Sequence, residues 1–267
     1  MSKFDRDTSI REVEPGVFEG DVNRDWWIAF GPNGGFLAAM LVKAMSAAVD
    51  DSARVPRSLT IHYTAAPAEG PVRITTTVER TGRSMTTLTA RMEQGQRLIA
   101  LAIGAFSSGR VPALEFDEVP APELPPPEEV PVAEPRPELP PFAHQWELRY
   151  AIGARPLSGS SGPTATGGWI KPLDIHPVDA ALVAQITDAW LPAVFLRLSE
   201  PNAVPTIDLT IHFRADLPLP PDYVLVTFES RLSQGGFIEE DGWIWSRDGR
   251  LIAHSRQLAL LQAPSHD

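Results

Sequence analysis

Apolar positions along this chain fall into two patterns that return in the same order in each half. From Gly34 to about Val49, Phe36, Leu37, Met40, Leu41, Ala44, Met45 and Ala48 follow helical spacing behind Gly31-Pro32-Asn33, which predicts one long helix. The segments Arg57 to Thr64, Pro71 to Thr81, Met85 to Glu93 and Gln96 to Phe106 come next. They are rich in Thr, Val, Ile and Leu and are separated by Gly or Pro, so they predict an antiparallel meander. The second half offers a strand-like Glu147 to Ala154, a Gly-rich stretch from Gly159 to Gly168 and a helical pattern from about Pro177 to Leu198. Strands are then expected near Thr206 to Arg214, Tyr223 to Leu232, Phe237 to Ser246 and Arg250 to Leu261.

The two halves also share words. Ser58-Leu59-Thr60-Ile61-His62-Tyr63 returns as Asp208-Leu209-Thr210-Ile211-His212-Phe213, Thr77-Val78-Glu79 as Thr227-Phe228-Glu229, and Arg97-Leu98-Ile99-Ala100 as Arg250-Leu251-Ile252-Ala253. Three blocks in one order, with hairpin turns expected at Gln94-Gly95 and Asp248-Gly249, indicate a duplicated fold unit. Between Val111 and Pro141 lie 11 prolines and eight acidic residues against one basic residue, Arg136. Proline removes backbone donors and like charges repel, so this stretch reads as an extended connector. The expected organisation is a unit over residues 1–110, a linker over 111–141 and a second unit over 142–267. Each unit is α+β, a long helix with little polar surface wrapped by an antiparallel sheet, which is the hot dog arrangement; two in tandem make a double hot dog.

Composition narrows the chemistry. The chain has no cysteine, and its six histidines show no ligand spacing, so thiol chemistry is excluded and no metal site is expected. A net charge of −11 disfavours nucleic acid. No apolar run is long enough to span a membrane, and the charged N-terminus does not read as a signal peptide, so a cytoplasmic protein without membrane insertion is expected.

Three polar residues are candidates, and two of them, Asp188 and Gln257, stand where the repeat has no counterpart. Asp188 falls within the second helical pattern among apolar neighbours, where a carboxylate costs several kcal/mol unless compensated. Pro192, four residues on, should bend or end the helix beside it. Gln257 lies in the row Leu251, Ala253, Ser255, Gln257, Ala259 and Leu261 of the last strand, whereas the matching first-half strand carries small apolar residues and Gly104. Thr206 opens a strand and is unremarkable alone.

With these residues in view, the chain resembles the acyl-CoA thioesterase II (TesB-like) family of double hot dog enzymes over nearly its whole length outside the linker. The matching words are Asp188-Ala189-Trp190-Leu191-Pro192, Pro205-Thr206-Ile207-Asp208, and Asp248-Gly249-Arg250-Leu251-Ile252-Ala253 followed by Gln257. Gly31-Pro32-Asn33-Gly34-Gly35-Phe36 departs from the family's usual Phe-Gly-Gly-Gln. The resemblance implies hydrolysis of a fatty acyl-CoA by a water held among Asp188, Thr206 and Gln257, with no covalent intermediate and no cofactor beyond the CoA of the substrate. It also implies further pairing into a homo-oligomer. Gly34 and Gly35, at a helix start, are expected to offer N–H groups to the thioester oxygen or a phosphate, or simply to make a tight turn. Trp26, Trp27, Trp169 and Trp190 are candidates to line or block an acyl tunnel. Two alternatives stay open: a 2-enoyl-CoA hydratase or dehydratase, for which His176 is the candidate histidine, and a non-catalytic acyl-CoA or lipid-binding protein.

Overall fold

The repeated Leu-Thr-Ile-His segments lie side by side. They pair antiparallel, with Leu59 opposite Ile211, Thr60 opposite Thr210 and Ile61 opposite Leu209, and the hydroxyls of Thr60 and Thr210 are 3.0 Å apart. Residues exactly one repeat apart thus meet at an approximate two-fold axis, from which the rest of the fold extends both ways. The computed structural model describes residues 1–28, 31–134 and 136–261. The first half consists of α1 (Lys3–Asp7), β1 (Ile10–Glu14), β2 (Val17–Val22), α2 (Gly34–Val49), β3 (Val55–Tyr63), β4 (Gly70–Thr81), β5 (Met85–Gln94) and β6 (Arg97–Ser107). The second consists of β7 (Trp146–Ile152), β8 (Ala165–Pro172), α3 (Ala180–Ile186), β9 (Thr206–Phe213), β10 (Val224–Glu229), the short β11 (Ser233–Gln234), β12 (Phe237–Ser246) and β13 (Leu251–Leu260). One antiparallel sheet joins them in the order β1-β2-β4-β5-β6-β3, then β9-β13-β12-β10-β8-β7, with β11 beside β12. The second series repeats the topology of the first in reverse.

Local chemistry explains most of these elements. Asn33 caps α2 by accepting the Phe36 N–H through its side chain, and Asp50 ends the helix in a left-handed conformation. Phe36 through Val42 are buried, as are Ala44 and Met45, so α2 is apolar nearly all round and fills the concave side of the sheet. Gly95 and Gly249, at φ +61° and +85°, close the β5–β6 and β12–β13 hairpins as expected.

The hairpin β1–β2, turned by Pro15-Gly16, and α1, which buries Phe4, lie outside the elements read from the sequence. The end of the Gly-rich stretch is strand β8. There a Cβ on Gly167 would stand 2.2 Å from the Val226 carbonyl oxygen, and one on Gly168 2.0 Å from that of Arg149, so these glycines permit close strand approach.

The second helix is not long. It runs from Ala180 to Ile186, capped by Asp179, whose carboxylate accepts the Leu182 N–H at 2.8 Å. Thr187 turns its hydroxyl back onto the Ala184 carbonyl at 2.7 Å, Pro192 supplies no N–H, and Ala193–Leu196 forms a separate 3-10 turn. The mostly apolar residues beyond Ile186 imitate helical spacing. Asp188 therefore sits in the turn after the helix rather than within it.

The linker is extended and is also tied down. A proline-rich chain cannot pair as a strand, yet its carbonyls still accept. Trp245 Nε1 donates to Val119 O at 3.2 Å, Trp169 Nε1 to Pro125 O at 3.0 Å, and Arg149 to both Pro127 O and Val130 O at 2.7 Å. Val130 is buried with Trp169, Tyr223, Leu225 and Trp245 in a cluster separate from the main core. The linker is thus a strap over the outer face of the second half, and Trp169 lies beneath it rather than beside the helices. Arg149→Ala should release this strap, since charge-assisted hydrogen bonds contribute about 1.5–3 kcal/mol each. The expected result is faster cleavage by a Glu-specific protease at Glu118 or Glu123, read by mass spectrometry. No helix among the described residues is long and apolar enough to cross a membrane.

Candidate active site

α2 and α3 pack against one another, and they approach most closely where Gly35 meets Gln185. A Cβ on Gly35 would lie 2.4 Å from the Gln185 carbonyl oxygen. That contact brings the N-terminus of α2 against the turn after α3, so Asp188 of the second half faces backbone donors of the first. Its Oδ2 accepts the Gly35 N–H at 3.0 Å and the Asn33 side-chain amide at 2.9 Å, and the same amide reaches the Asp188 carbonyl at 2.6 Å. Asn33 therefore caps α2 with its oxygen and holds Asp188 with its nitrogen. The partial positive charge at a helix N-terminus suits a carboxylate.

Burial nevertheless dominates. It raises the Asp188 carboxyl to about 6, against the N–H groups of Gly35 and Gly34 and the amides of Asn33 and Gln257, which lower it. Asp188 is thus a carboxylate whose affinity for a proton lies close to neutrality.

On the opposite side, β13 delivers Gln257 and β9 delivers Thr206. The Thr206 hydroxyl donates to Gln257 Oε1 at 2.9 Å, and Gln257 Nε2 donates to Glu240 Oε1 of β12 at 2.9 Å. Glu240 is 3% exposed, and its other oxygen accepts the Ala193 N–H at 2.6 Å. Burial pushes its carboxyl up to about 8, aided by repulsion from Asp188 and Glu239 and opposed by the Ala193 and Gln257 hydrogen bonds. Two carboxyls of unequal acidity thus flank one amide.

All three residues singled out from the sequence converge here, Asp188 in its turn and Thr206 joined to Gln257. Gly34 and Gly35 are here as well, but the expectation for them changes: the Gly35 N–H is taken up by Asp188 instead of pointing to a substrate oxygen. A Cβ on Gly34 would sit 3.0 Å from Asp188 Oδ2 and 3.2 Å from Tyr63 Cζ, so the absence of a side chain lets the acid and the tyrosine approach this closely. Sequence reasoning missed Asn33, Glu240 and Tyr63, whose hydroxyl donates to the Gly34 carbonyl at 2.9 Å. His176 is elsewhere, 3% exposed, with Ser2 Oγ at 3.0 Å from Nδ1 and Asp179 Oδ2 at 3.3 Å from Nε2. It ties α1 to the start of α3. Trp190 is anchored by Nε1 to Thr166 at 3.0 Å, and Trp26 stacks on Phe36 with ring centroids 5.4 Å apart.

The first half has no such site. Leu88 faces Gly104 in the β5–β6 register as Glu240 faces Gln257 in β12–β13, and Pro56 stands one repeat before Thr206. A small apolar cavity of about 80 Å³ lined by Val55, Pro56, Ala180, Ala215, Leu217, Pro218 and the Asp179 cap marks the related position.

Known proteins resemble this chain throughout. An uncharacterised protein of Mycobacterium bovis is 27% identical, covering 92% of this chain and 91% of its own. A conserved protein of unknown function with the hot dog fold from Alicyclobacillus acidocaldarius superposes with a TM-score of 0.87 at 27% identity, over 98% of each chain. An acyl-CoA thioesterase II of Mycobacterium marinum shares the fold at 19% identity, with a TM-score of 0.79 over 99% of this chain and 100% of that one. The acyl-CoA thioesterase N-terminal domain matches residues 23–107, which hold Asn33, Gly35 and Tyr63, and the C-terminal domain matches residues 120–261, which hold Asp188, Thr206, Glu240 and Gln257. With the site divided between two domains matched in order, the chain belongs to the acyl-CoA thioesterase family and is a thioester hydrolase.

Proposed function

We propose that this enzyme hydrolyses a fatty acyl-CoA to the free acid and CoA by direct attack of water, at one site between two hot dog units over residues 1–110 and 142–267. Asp188 is the general base. It takes a proton from the water as the water oxygen bonds to the thioester carbonyl carbon, and the CoA thiolate then departs and is protonated. Thr206 and Gln257 orient that water, the hydroxyl as an acceptor once its own proton is given to Gln257, and the amide through its nitrogen. Gly34 and Gly35 serve by letting the acid and the Gln185 backbone come close to the start of α2 and by holding the base. Water and the acyl-CoA suffice for this chemistry, so no further cofactor is invoked, and the acidic chain is assigned to the cytoplasm.

The observation that carries this reading is the Asp188 carboxylate, set among donors from the other half at a site whose first-half counterpart is apolar. Among the described residues no histidine joins this constellation in a hydratase-like arrangement, and His176 is engaged between α1 and α3. CoA release measured across acyl chain lengths tests the proposal, and absence of release at every length would overturn it. The pH dependence is a separate check. A base must be ionised, so kcat/KM should rise tenfold per unit below about 6 and level off above it; a profile flat from pH 5 to 7 would remove Asp188 from this role.

A further inference from the structure

The buried Glu240 carboxyl lies behind the presumed water-orienting amide, has no polar counterpart in the first half, and plays no part in the chemistry just described. An amide can face either way, and only its partners decide which end meets the reacting water. Thr206 does not decide, because a hydroxyl can donate to an amide oxygen or accept from an amide nitrogen. Glu240 Oε1 can decide. It stands 2.9 Å from the Gln257 amide nitrogen and serves as an acceptor, which a second acceptor cannot face. Its own position is set independently of Gln257, by the Ala193 N–H on Oε2 at 2.6 Å. Ala193 follows Pro192 at the end of the turn that carries Asp188, so one side chain links the base's turn to the orienting amide.

We propose that Glu240 is a positioning residue that fixes the direction of the Gln257 amide, keeping its nitrogen turned toward the Asp188 side and its oxygen toward Thr206. The carboxylate form fixes this direction outright; a protonated Glu240 retains it when the proton lies on Oε2, turned away from the Ala193 N–H, because a proton on Oε1 would donate to the amide oxygen instead. At the matching place in the first half Leu88 faces Gly104, so the fold unit itself does not call for a polar side chain there. Polarity here therefore serves the site rather than the core. This inference rests on the hydrolytic reading above for its catalytic consequence, but the direction of the amide can be observed without turnover.

Two measurements on the full-length protein test it. Steady-state hydrolysis of acyl-CoA should show kcat reduced about 10- to 100-fold in Glu240→Gln and in Glu240→Leu, with KM changed less than about twofold. In a Gln257→Ala background the same substitutions should cost less than about twofold more, because their effect runs through Gln257. In parallel, the Gln257 side-chain amide protons, assigned by their loss in Gln257→Ala, should shift and lose protection from exchange in both Glu240 variants. Glu240→Leu covers the case in which the glutamine variant folds poorly. Unchanged amide signals would overturn the proposal, as would a full kcat loss persisting without Gln257. If the wild type released CoA from no substrate, the hydrolytic reading would fall while the amide signals still decided the role of Glu240.

Discussion

Asp188→Asn should all but abolish turnover while making the protein more stable. General-base catalysis contributes about 10²–10⁴-fold, so kcat is expected to fall about 10³-fold with KM little altered. Stability moves the other way because the folded state holds the Asp188 proton more tightly than the unfolded chain does. Its carboxyl is raised from 3.8 to about 6, so the native state binds more protons over that interval and loses stability as pH rises through it. The loss is complete above about 6 and absent below about 4. Two pH units correspond to about 3 kcal/mol, and asparagine, which carries no charge to desolvate, escapes this loss. Calorimetry at pH 7.5 should therefore show a higher Tm for Asp188→Asn, and the difference should vanish near pH 4. Equal Tm values at both pH extremes would show that burial does not penalise this carboxylate, and full activity in the variant would assign the base elsewhere.

Gly35→Ala should damage fold and function together. The added Cβ would meet the Gln185 carbonyl oxygen at 2.4 Å and its Cα at 2.9 Å, and backbone atoms cannot yield as a flexible side chain can. Overpacking of this kind costs about 1–3 kcal/mol and sometimes more, which for a chain of this size lowers Tm by about 2–4 °C per kcal/mol. Separation of α2 from α3 also draws the Gly35 N–H away from Asp188, and a displacement of about 1 Å can cost about 100-fold in rate. Gly95→Ala is the informative control. Its φ of +61° carries backbone strain, but nothing lies within 4 Å of the new Cβ, so a modest loss of stability with normal turnover is expected. Equal behaviour of the two variants in calorimetry and turnover would refute the steric account.

Much of this was legible because it depends on local pattern. The helix Gly34–Val49 and the strand Phe237–Ser246 match their sequence readings residue for residue, since both have clear caps, turns and periods. The second helix is shorter than its pattern because residues 187–196 are mostly apolar and are buried or half-buried without being α-helical, so an apolar run alone does not distinguish helix from turn. The role of the β8 glycines was not legible for the converse reason: their small size answers to strands that are distant in sequence. At the site, asymmetry between the repeats led to Asp188 and Gln257. Glu240 was open to the same logic, since it alternates with Ile238, Gly242 and Ile244 on the buried face of β12. Tyr63 also differs from its repeat partner Phe213 by a single hydroxyl. Asn33 could be read as a cap, but its second bond to Asp188 depends on a contact across 155 positions of chain, which no local pattern records.

The pairing of Thr60 with Thr210 has an energetic consequence. In a dimer of identical subunits every substitution occurs twice, so a buried carboxyl pair would bring its desolvation cost to both sides of the axis. Burying an ionised group costs several kcal/mol before its partners repay it, and domains of this kind are stable by only about 5–15 kcal/mol in total. Joining the two copies in one chain removes that doubling. One side can then hold Asp188 and Glu240 near the limit of what the fold tolerates, while the other, with Leu88, Gly104 and Pro56, supplies the stability that offsets them.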